Sequence, residues 1–218
     1  MGTVTSLEAH RLARRTRMAA ARHAPQRATL YFDLGTPYTY LAAERADRLF
    51  SRLEWVPAAA DVLQAAELGE EARRAVSERA ALLGLPFVWP EEASHRMRGA
   101  MRVASLAVER GRGAAFVLAA SRLAFCGGFD VEDPEILAEA AAAAGIGLGE
   151  ALAAAGDVGR DGPIEETGRQ LLAAGATRLP ALRVGRMLFC GEDRLLEAAA
   201  ARAAVCSPTR QALPHALV

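Results

Sequence analysis

The sequence of 218 residues contains no lysine, since all 26 of its basic residues are arginines. This excludes catalysis through a lysine amine, including Schiff-base formation with a carbonyl compound. Acidic residues also number 26, so the chain has no net charge and we expect no nucleic-acid partner. Apolar residues make up 52% and charged residues 24%, a balance typical of a globular protein.

Cysteine is sparse, and long apolar runs are missing. Cys126, Cys190 and Cys206 lie far apart, with no CxxC pair and no metal-ligand spacing, so we predict neither a disulfide framework nor a metal site. No apolar run reaches the roughly 18 to 20 residues that span a bilayer, and the N-terminus lacks the apolar core of a signal peptide. A cytoplasmic location without a transmembrane segment is the resulting prediction.

Extended segments stand at both ends of a long helical block. Residues 28–33 and 53–56 are predicted strands, and Thr36-Pro37 starts a helix between them that ends near Ser51. The pattern is helical from Asp61 to about Gly175. The segments 181–184 and 187–190 then form a predicted hairpin, followed by a helix from Arg194 to about Val205. Strands at both ends must pair across the block, so the block is an insertion into one mixed sheet.

Three motifs resemble the DsbA-type branch of the thioredoxin superfamily. Residues 31–42, Tyr-Phe-Asp-Leu-Gly-Thr-Pro-Tyr-Thr-Tyr-Leu-Ala, are similar to its first strand and Ser-Pro-aromatic helix start. Residues 178–182, Arg-Leu-Pro-Ala-Leu, resemble the segment with the cis-proline, and residues 188–195 resemble the Gly-x-Asp-Arg-Leu turn. Within this branch the chain most resembles the 2-hydroxychromene-2-carboxylate isomerases and the kappa-class glutathione transferases.

The resemblance implies an α/β fold, a thioredoxin-like mixed sheet with a large all-helical insertion, and a homodimer. The predicted units are a basic N-terminal extension at 1–27, a thioredoxin-like domain at 28–60 and 161–205, a helical insertion at 61–160, and a C-terminal tail at 206–218. The extension has six arginines and one acid, Glu8. It is either a solvated arm that docks on a neighbouring subunit or a transit-like or membrane-touching segment.

Thr36 is the candidate catalytic residue. At a helix N-terminus, unpaired N–H groups and the helix dipole stabilise a thiolate, yet no cysteine stands there. The chain therefore cannot exchange disulfides at this place with its own side chains. The resemblance implies that glutathione or another small thiol fills it, with the Thr36 hydroxyl donating to the thiolate beside Pro37 and Tyr38. The alternative is an ordinary capped helix start.

The other two motifs provide candidate thiol-binding residues. The resemblance implies a cis bond between Leu179 and Pro180, with the Leu179 backbone holding the cysteinyl backbone of glutathione as a strand would; the alternative is a trans proline at a strand start. It also assigns Asp193 to an ammonium group and Arg194 to the carboxylate of a γ-glutamyl end, at another helix N-terminus. Alternatively, Asp193 caps that helix and Arg194 is solvated.

Trp89, His95 and Arg98 of the insertion are candidates for the acceptor side. His95, Arg96 and Arg98 would attract an anionic substrate there; a solvated helix face is the alternative. The implied substrate is a small aromatic or unsaturated carboxylate. Some departures from the family leave the identity of the thiol open, notably Ala181 where threonine is usual and the few polar groups at 57–61. Cys190 is either a reactive thiol near the site or a small buried strand residue.

We therefore predict a thiol-dependent isomerase or transferase. The bound thiolate adds to an electrophilic carbon, and the adduct either collapses to an isomer and returns the thiol or is itself the product. The second hypothesis is a DsbA-like module without redox chemistry that binds a peptide or a partner through the cis-proline edge. A protein-disulfide oxidoreductase that relies on Cys126 or Cys190 alone ranks last.

Overall fold

The computed structural model describes residues 27–63, 69–90 and 97–206. Four strands in this part form one mixed sheet in the order β2-β1-β3-β4. Strand β1 pairs parallel with β2 and antiparallel with β3, and β3 pairs antiparallel with β4. The predicted mixed sheet and terminal hairpin are confirmed. The strands are β1 Ala28–Phe32, β2 Leu53–Pro57, β3 Ala181–Val184 and β4 Met187–Cys190.

Eight α-helices lie within the described residues, and the block between β2 and β3 is helical as predicted. No helix among them is long and apolar enough to cross a membrane. Short 3₁₀ turns cover Asp61–Leu63, Val158–Arg160 and Glu192–Arg194. The helices are α1 Pro37–Leu49, α2 Glu70–Leu82, α3 Arg98–Glu109, α4 Gly113–Phe125, α5 Pro134–Ala143, α6 Leu148–Gly156, α7 Asp161–Ala173 and α8 Leu195–Cys206.

Strand β1 ends one residue earlier than predicted, at Phe32. The Asp33 side chain accepts a hydrogen bond from the Gly35 backbone N–H at 2.8 Å, the local bond with which aspartate turns a chain. Asp33 therefore belongs to the turn that leads into α1 and not to the strand. The C-terminal helix also starts later than predicted, at Leu195, because the preceding residues form the 3₁₀ turn.

The two faces of the sheet bury different clusters, as the alternation of side chains along a strand requires. Leu30 and Phe32 point into the larger cluster, which includes residues of α1, α3, α4 and α8. Tyr31 and Ala181 belong to a smaller cluster on the other face with Leu171 of α7.

The segments that carry the sequence motifs all lie at one edge of the sheet, the edge at which β1, β2 and β4 end and β3 begins. Phe32 pairs with Pro57, so β1 and β2 end together. Tyr31 pairs with Ala181, where β3 begins, and Ala181 pairs with Cys190, where β4 ends. The turn after β1, the loop after β2, the residues before β3 and the turn after β4 therefore meet at this edge. This arrangement positions the candidate site.

Candidate functional site

The Thr36 hydroxyl, at the start of α1, is the first feature of the site. Thr36 occupies the predicted N-cap position with extended backbone angles, and Pro37 follows in the first turn. Within the described part of the chain, however, the Thr36 side chain forms no capping hydrogen bond. Its backbone N–H donates to the Asp33 carbonyl at 3.3 Å, which closes the turn. The hydroxyl therefore stays available to a ligand at a helix N-terminus, where negative charge is stabilised.

The bond between Leu179 and Pro180 is cis, as the resemblance implied. The Pro180 carbonyl accepts a hydrogen bond from the Gly191 N–H at 2.7 Å, which ties this segment to the turn after β4. Among the described residues, the backbone N–H and C=O of Leu179 have no hydrogen-bond partner. An extended ligand can pair with them as a further strand pairs with a sheet edge.

A cavity of about 330 Å³, here named the Tyr38 cavity, lies on the β4 side of this edge. It brings Tyr38 and Asp193 together, two residues that the sequence placed in the site. Its volume is within the range of small-molecule sites. The lining residues are Tyr38, Ala75, Arg79, Arg178, Gly191, Glu192 and Asp193.

Two residues that line the Tyr38 cavity, Arg178 and Asp193, form an ion pair. Arg178 Nη2 donates to both oxygens of Asp193, at 2.8 and 3.0 Å. Gly191 has a φ of 103°, a backbone conformation that favours glycine, and a Cβ atom there would meet Asp193 Oδ1 and Arg178 Nε. Arg194 points elsewhere: its guanidinium donates to Glu197 at 2.7 and 2.5 Å and covers the Phe189 ring. The cation beside Asp193 is thus Arg178 and not Arg194.

Glu192 is a functional candidate that the sequence analysis missed. Its side chain is 3% exposed and accepts hydrogen bonds from Arg45 of α1 at 2.7 Å and from Arg79 of α2 at 2.6 and 3.3 Å. The bond to Glu192 raises the pKa of Arg79. Glu192 therefore connects the turn after β4 to α1 and to α2.

A second, narrower cavity of about 50 Å³, here named the Asp33 cavity, lies on the β2 side of the same edge. It has room for one or two water molecules or for the end of a ligand. Its lining residues are Asp33, Ala59, Asp61, Arg98, Met101, Asp161, Ile164 and Glu165.

Asp33 itself was not predicted as a site residue. Its side chain is 8% exposed and accepts hydrogen bonds from the backbone N–H groups of Gly35 at 2.8 Å and Ala60 at 2.7 Å. Burial raises the pKa of Asp33 to about 6, against the two backbone hydrogen bonds, which lower it, and the nearby Asp61 adds to the rise. The sequence signal was a lone aspartate at the end of an apolar strand, before the Leu-Gly break.

Arg98 lines the Asp33 cavity but faces two carboxylates there. Its guanidinium lies 3.9 Å from Asp61 and 3.7 Å from Asp161. Arg102 also holds Asp161 through two bonds of 2.7 Å, which lowers the pKa of Asp161. Glu165 also belongs to the lining, so among the described residues that line this cavity carboxylates outnumber arginines.

Trp89, another acceptor-side candidate, lines neither of these two cavities. The Trp89 indole N–H donates to Ser77 at 3.1 Å, and its ring lies 4.5 Å from the Arg73 guanidinium, on the surface of α2. His95 lies outside the described residues. Cys190, half-buried and free, packs against the smaller core cluster. In the described ranges no group of three or more His, Cys, Asp or Glu residues is placed to hold a metal ion.

The sequence model of the DSBA-like thioredoxin domain matches residues 28–201, the stretch that holds the whole sheet and both cavities. The chain belongs to the DSBA-like thioredoxin domain family. None of the curated proteins matches the chain in sequence. This member of the family has kept the cis-proline and the helix start of the fold, and it has Thr36 at the helix N-cap.

Solved structures of similar fold include proteins of different activities. A 2-hydroxychromene-2-carboxylate isomerase is 17% identical with a TM-score of 0.70, covering 82% of this chain and 95% of that one. A "probable DsbA oxidoreductase" from Streptomyces coelicolor is 20% identical with a TM-score of 0.65, covering 88% and 94%. The cytosolic disulfide reductase DsbM from Pseudomonas aeruginosa, solved with GSH, is 18% identical with a TM-score of 0.54, covering 82% and 96%. At these identities the likeness shows the fold alone.

Proposed function

We propose that this protein is an isomerase or transferase that uses glutathione or another low-molecular-weight thiol and acts on a small aromatic or unsaturated carboxylate. The observation that supports this most is the free Thr36 hydroxyl at a helix start without a cysteine. The family places its thiol at this corner, so an external thiol is the group that fits. The likeness to the isomerase structure and to DsbM with GSH agrees with this choice.

The thiol molecule lies along the cis-proline edge, with its charged end in the Tyr38 cavity. Its backbone pairs with the free N–H and C=O of Leu179, and its sulfur reaches Thr36. A zwitterionic amino-acid end separates the Arg178–Asp193 pair: its carboxylate takes Arg178 and its ammonium takes Asp193. Within the described residues, Arg45, Arg79 and Arg178 pair with two carboxylates, those of Glu192 and Asp193, so one positive charge remains for an anionic ligand.

Thr36 and the helix dipole then act on the sulfur. The hydroxyl donates to the thiolate, and the N-terminal end of the α1 dipole adds a positive potential, so the thiol ionises near neutral pH. The thiolate attacks an electrophilic carbon of the acceptor. We place the protein in the reducing cytoplasm, which agrees with the free Cys126 and Cys190. The resemblance implies that it acts as a homodimer.

A peptide- or partner-binding module is the second candidate function, and the unpaired backbone of Leu179 favours it. Both functions use the same edge. They differ in that a module needs no free thiol on its ligand and makes no use of the Thr36 hydroxyl.

Thr36→Ala is expected to raise the pKa of the bound glutathione thiol. Loss of a hydrogen bond to a charged group costs about 1.5–3 kcal/mol, which corresponds to about 1–2 pKa units. A pH titration of the thiolate absorbance at about 240 nm measures this pKa. The reference value for a free thiol is about 8.5. Thr36→Ser, which keeps the hydroxyl, is the matched control and should resemble the wild type. An unchanged pKa in Thr36→Ala would remove Thr36 from the mechanism.

A further inference from the structure

The Asp33 carboxyl has no part in holding the thiol, although it belongs to the same turn as Thr36. The backbone bond from the Thr36 N–H to the Asp33 carbonyl fixes the two residues relative to each other. The small exposed fraction of the Asp33 side chain lies in the wall of the Asp33 cavity. A buried carboxyl that faces a cavity next to a reaction centre is typical of a group that transfers protons.

The order of the strands places this turn between the two cavities. Ala59 and Asp61, which follow β2, line the Asp33 cavity. Gly191 and Asp193, which follow β4, line the Tyr38 cavity. Because β1 lies between β2 and β3 in the sheet, the turn that carries Asp33 and Thr36 lies between the segments that line the two cavities.

We propose that Asp33 is a catalytic acid and base of the thiol-addition reaction, acting on an unsaturated carbonyl compound whose reacting end enters the Asp33 cavity. This inference rests on the proposed function. To the proposed function it adds a catalytic role for Asp33. It also adds a substrate class, compounds in which the carbon–carbon double bond is conjugated to a carbonyl group.

The step balances without an oxidant or a reductant. The thiolate forms a carbon–sulfur bond at the β-carbon, and the electron pair of the double bond moves to the α-carbon and carbonyl oxygen as an enolate. Protonated Asp33 gives its proton to the α-carbon, directly or through one water molecule, and becomes a carboxylate. In the isomerase direction, rotation about the new single bond follows. Asp33 then takes the proton back, the thiolate leaves, and the double bond re-forms.

The surroundings of Asp33 suit this exchange. Each Asp33 oxygen accepts one backbone hydrogen bond, and a carboxyl oxygen has a second lone pair for a proton. The charged groups that share the cavity are Asp61 of the 3₁₀ turn, Arg98 of α3, and Asp161 and Glu165 of α7. Arg98 and Arg102 keep Asp161 ionised, with a lowered pKa. Burial raises the pKa of Asp33 to about 6, so both of its forms are populated near neutral pH.

Two glutathione reactions of the full chain test the role, because only one of them needs a proton on the acceptor. Addition to trans-4-phenyl-3-buten-2-one requires protonation at carbon, whereas displacement of chloride from 1-chloro-2,4-dinitrobenzene does not. For the wild type we expect the ratio of addition rate to displacement rate to fall as the pH rises through about 6. Asp33→Asn is expected to lower that ratio at least about tenfold, as removal of a general acid does, and to abolish its dependence on pH.

Glu139→Gln, which changes an exposed carboxyl of α5 that lines neither cavity, is the matched control and should keep the wild-type ratio and its pH dependence. A variant Asp33→Asn that slows both reactions by the same factor would assign Asp33 a structural role and overturn the proposal. Displacement without any addition in the wild type would overturn the proposal while leaving thiol-dependent chemistry in place. Absence of both reactions, on protein with a normal unfolding transition, would overturn the proposal together with the proposed function.

Discussion

Glu192→Gln is expected to lower the free energy of unfolding by about 3 kcal/mol, because it breaks a buried ion pair from one side. The Glu192 carboxylate is almost fully enclosed and is the common partner of Arg45 and Arg79. Without its negative charge, two arginines that are mostly withdrawn from water lose their compensating group. Urea denaturation at neutral pH measures the change as a shift of the midpoint.

The neighbouring residue provides a matched control. Asp193 is 52% exposed and pairs with Arg178, which is 53% exposed, and such surface pairs contribute about 0–1 kcal/mol. Asp193→Asn should therefore leave the midpoint nearly unchanged while Glu192→Gln lowers it. Equal, small shifts for both variants would show that the Arg45–Glu192–Arg79 contacts do not hold the turn after β4.

Asp33 is expected to make the protein less stable as the pH rises from about 4 to about 7. Its pKa is raised from the ordinary 3.8 to about 6 in the folded state, so the folded protein binds the proton more tightly than the unfolded chain does. The resulting stabilisation is complete below pH 3.8 and is lost as the pH passes through about 6. The shift corresponds to about 3 kcal/mol over the whole range.

A comparison of variants separates the contribution of Asp33 to the pH dependence of stability from the contributions of the other carboxyl groups. The stability of Asp33→Asn relative to the wild type should increase between about pH 4 and pH 6 and level off above about pH 7, as followed by urea denaturation at each pH. Asp161→Asn should show a slope of the opposite sign and at lower pH, because Arg102 lowers the pKa of Asp161 from 3.8 and its stabilisation is lost only as the pH falls below that value. A relative stability of Asp33→Asn that does not vary with pH would show that Asp33 is ionised as in water.

Much of the fold follows from the sequence, because its signals are local. The β-forming runs, Thr36-Pro37 at a helix start and the Gly185-Arg186 turn each predict their element from neighbouring residues. The structure confirms the sheet, the hairpin and the helical block. The resemblance also implied the cis bond before Pro180, for which the residues alone favoured the opposite.

The residues that the sequence analysis missed at the site have partners that are distant in sequence or bonds that only the folded turn reveals. Glu192 meets Arg45 and Arg79 across 147 and 113 positions, and no local pattern distinguishes it from a solvated glutamate. Asp33 looked like the last residue of a strand until its bonds to Gly35 and Ala60 showed a buried turn.

The two arginines of the predicted site differ in this respect. Arg98 lies at a cavity, where Asp61 and Asp161 face it from other elements. Arg194, in the 3₁₀ turn, pairs with Glu197, only three residues away in the sequence. Charge pairing depends on the tertiary fold, so a list of arginines did not show which one remains available to a ligand. The structure favours Arg178.

The central claim is that the Thr36 corner holds an external thiol as its thiolate. Calorimetric titration of the full chain with glutathione, set against S-methylglutathione, tests it most directly, because the two ligands differ only at the sulfur. We predict that glutathione binds more tightly and releases a proton near neutral pH, seen as a heat that depends on the buffer, and that S-methylglutathione releases none. Equal affinities without proton release, or no binding of glutathione by well-folded protein, would contradict the claim.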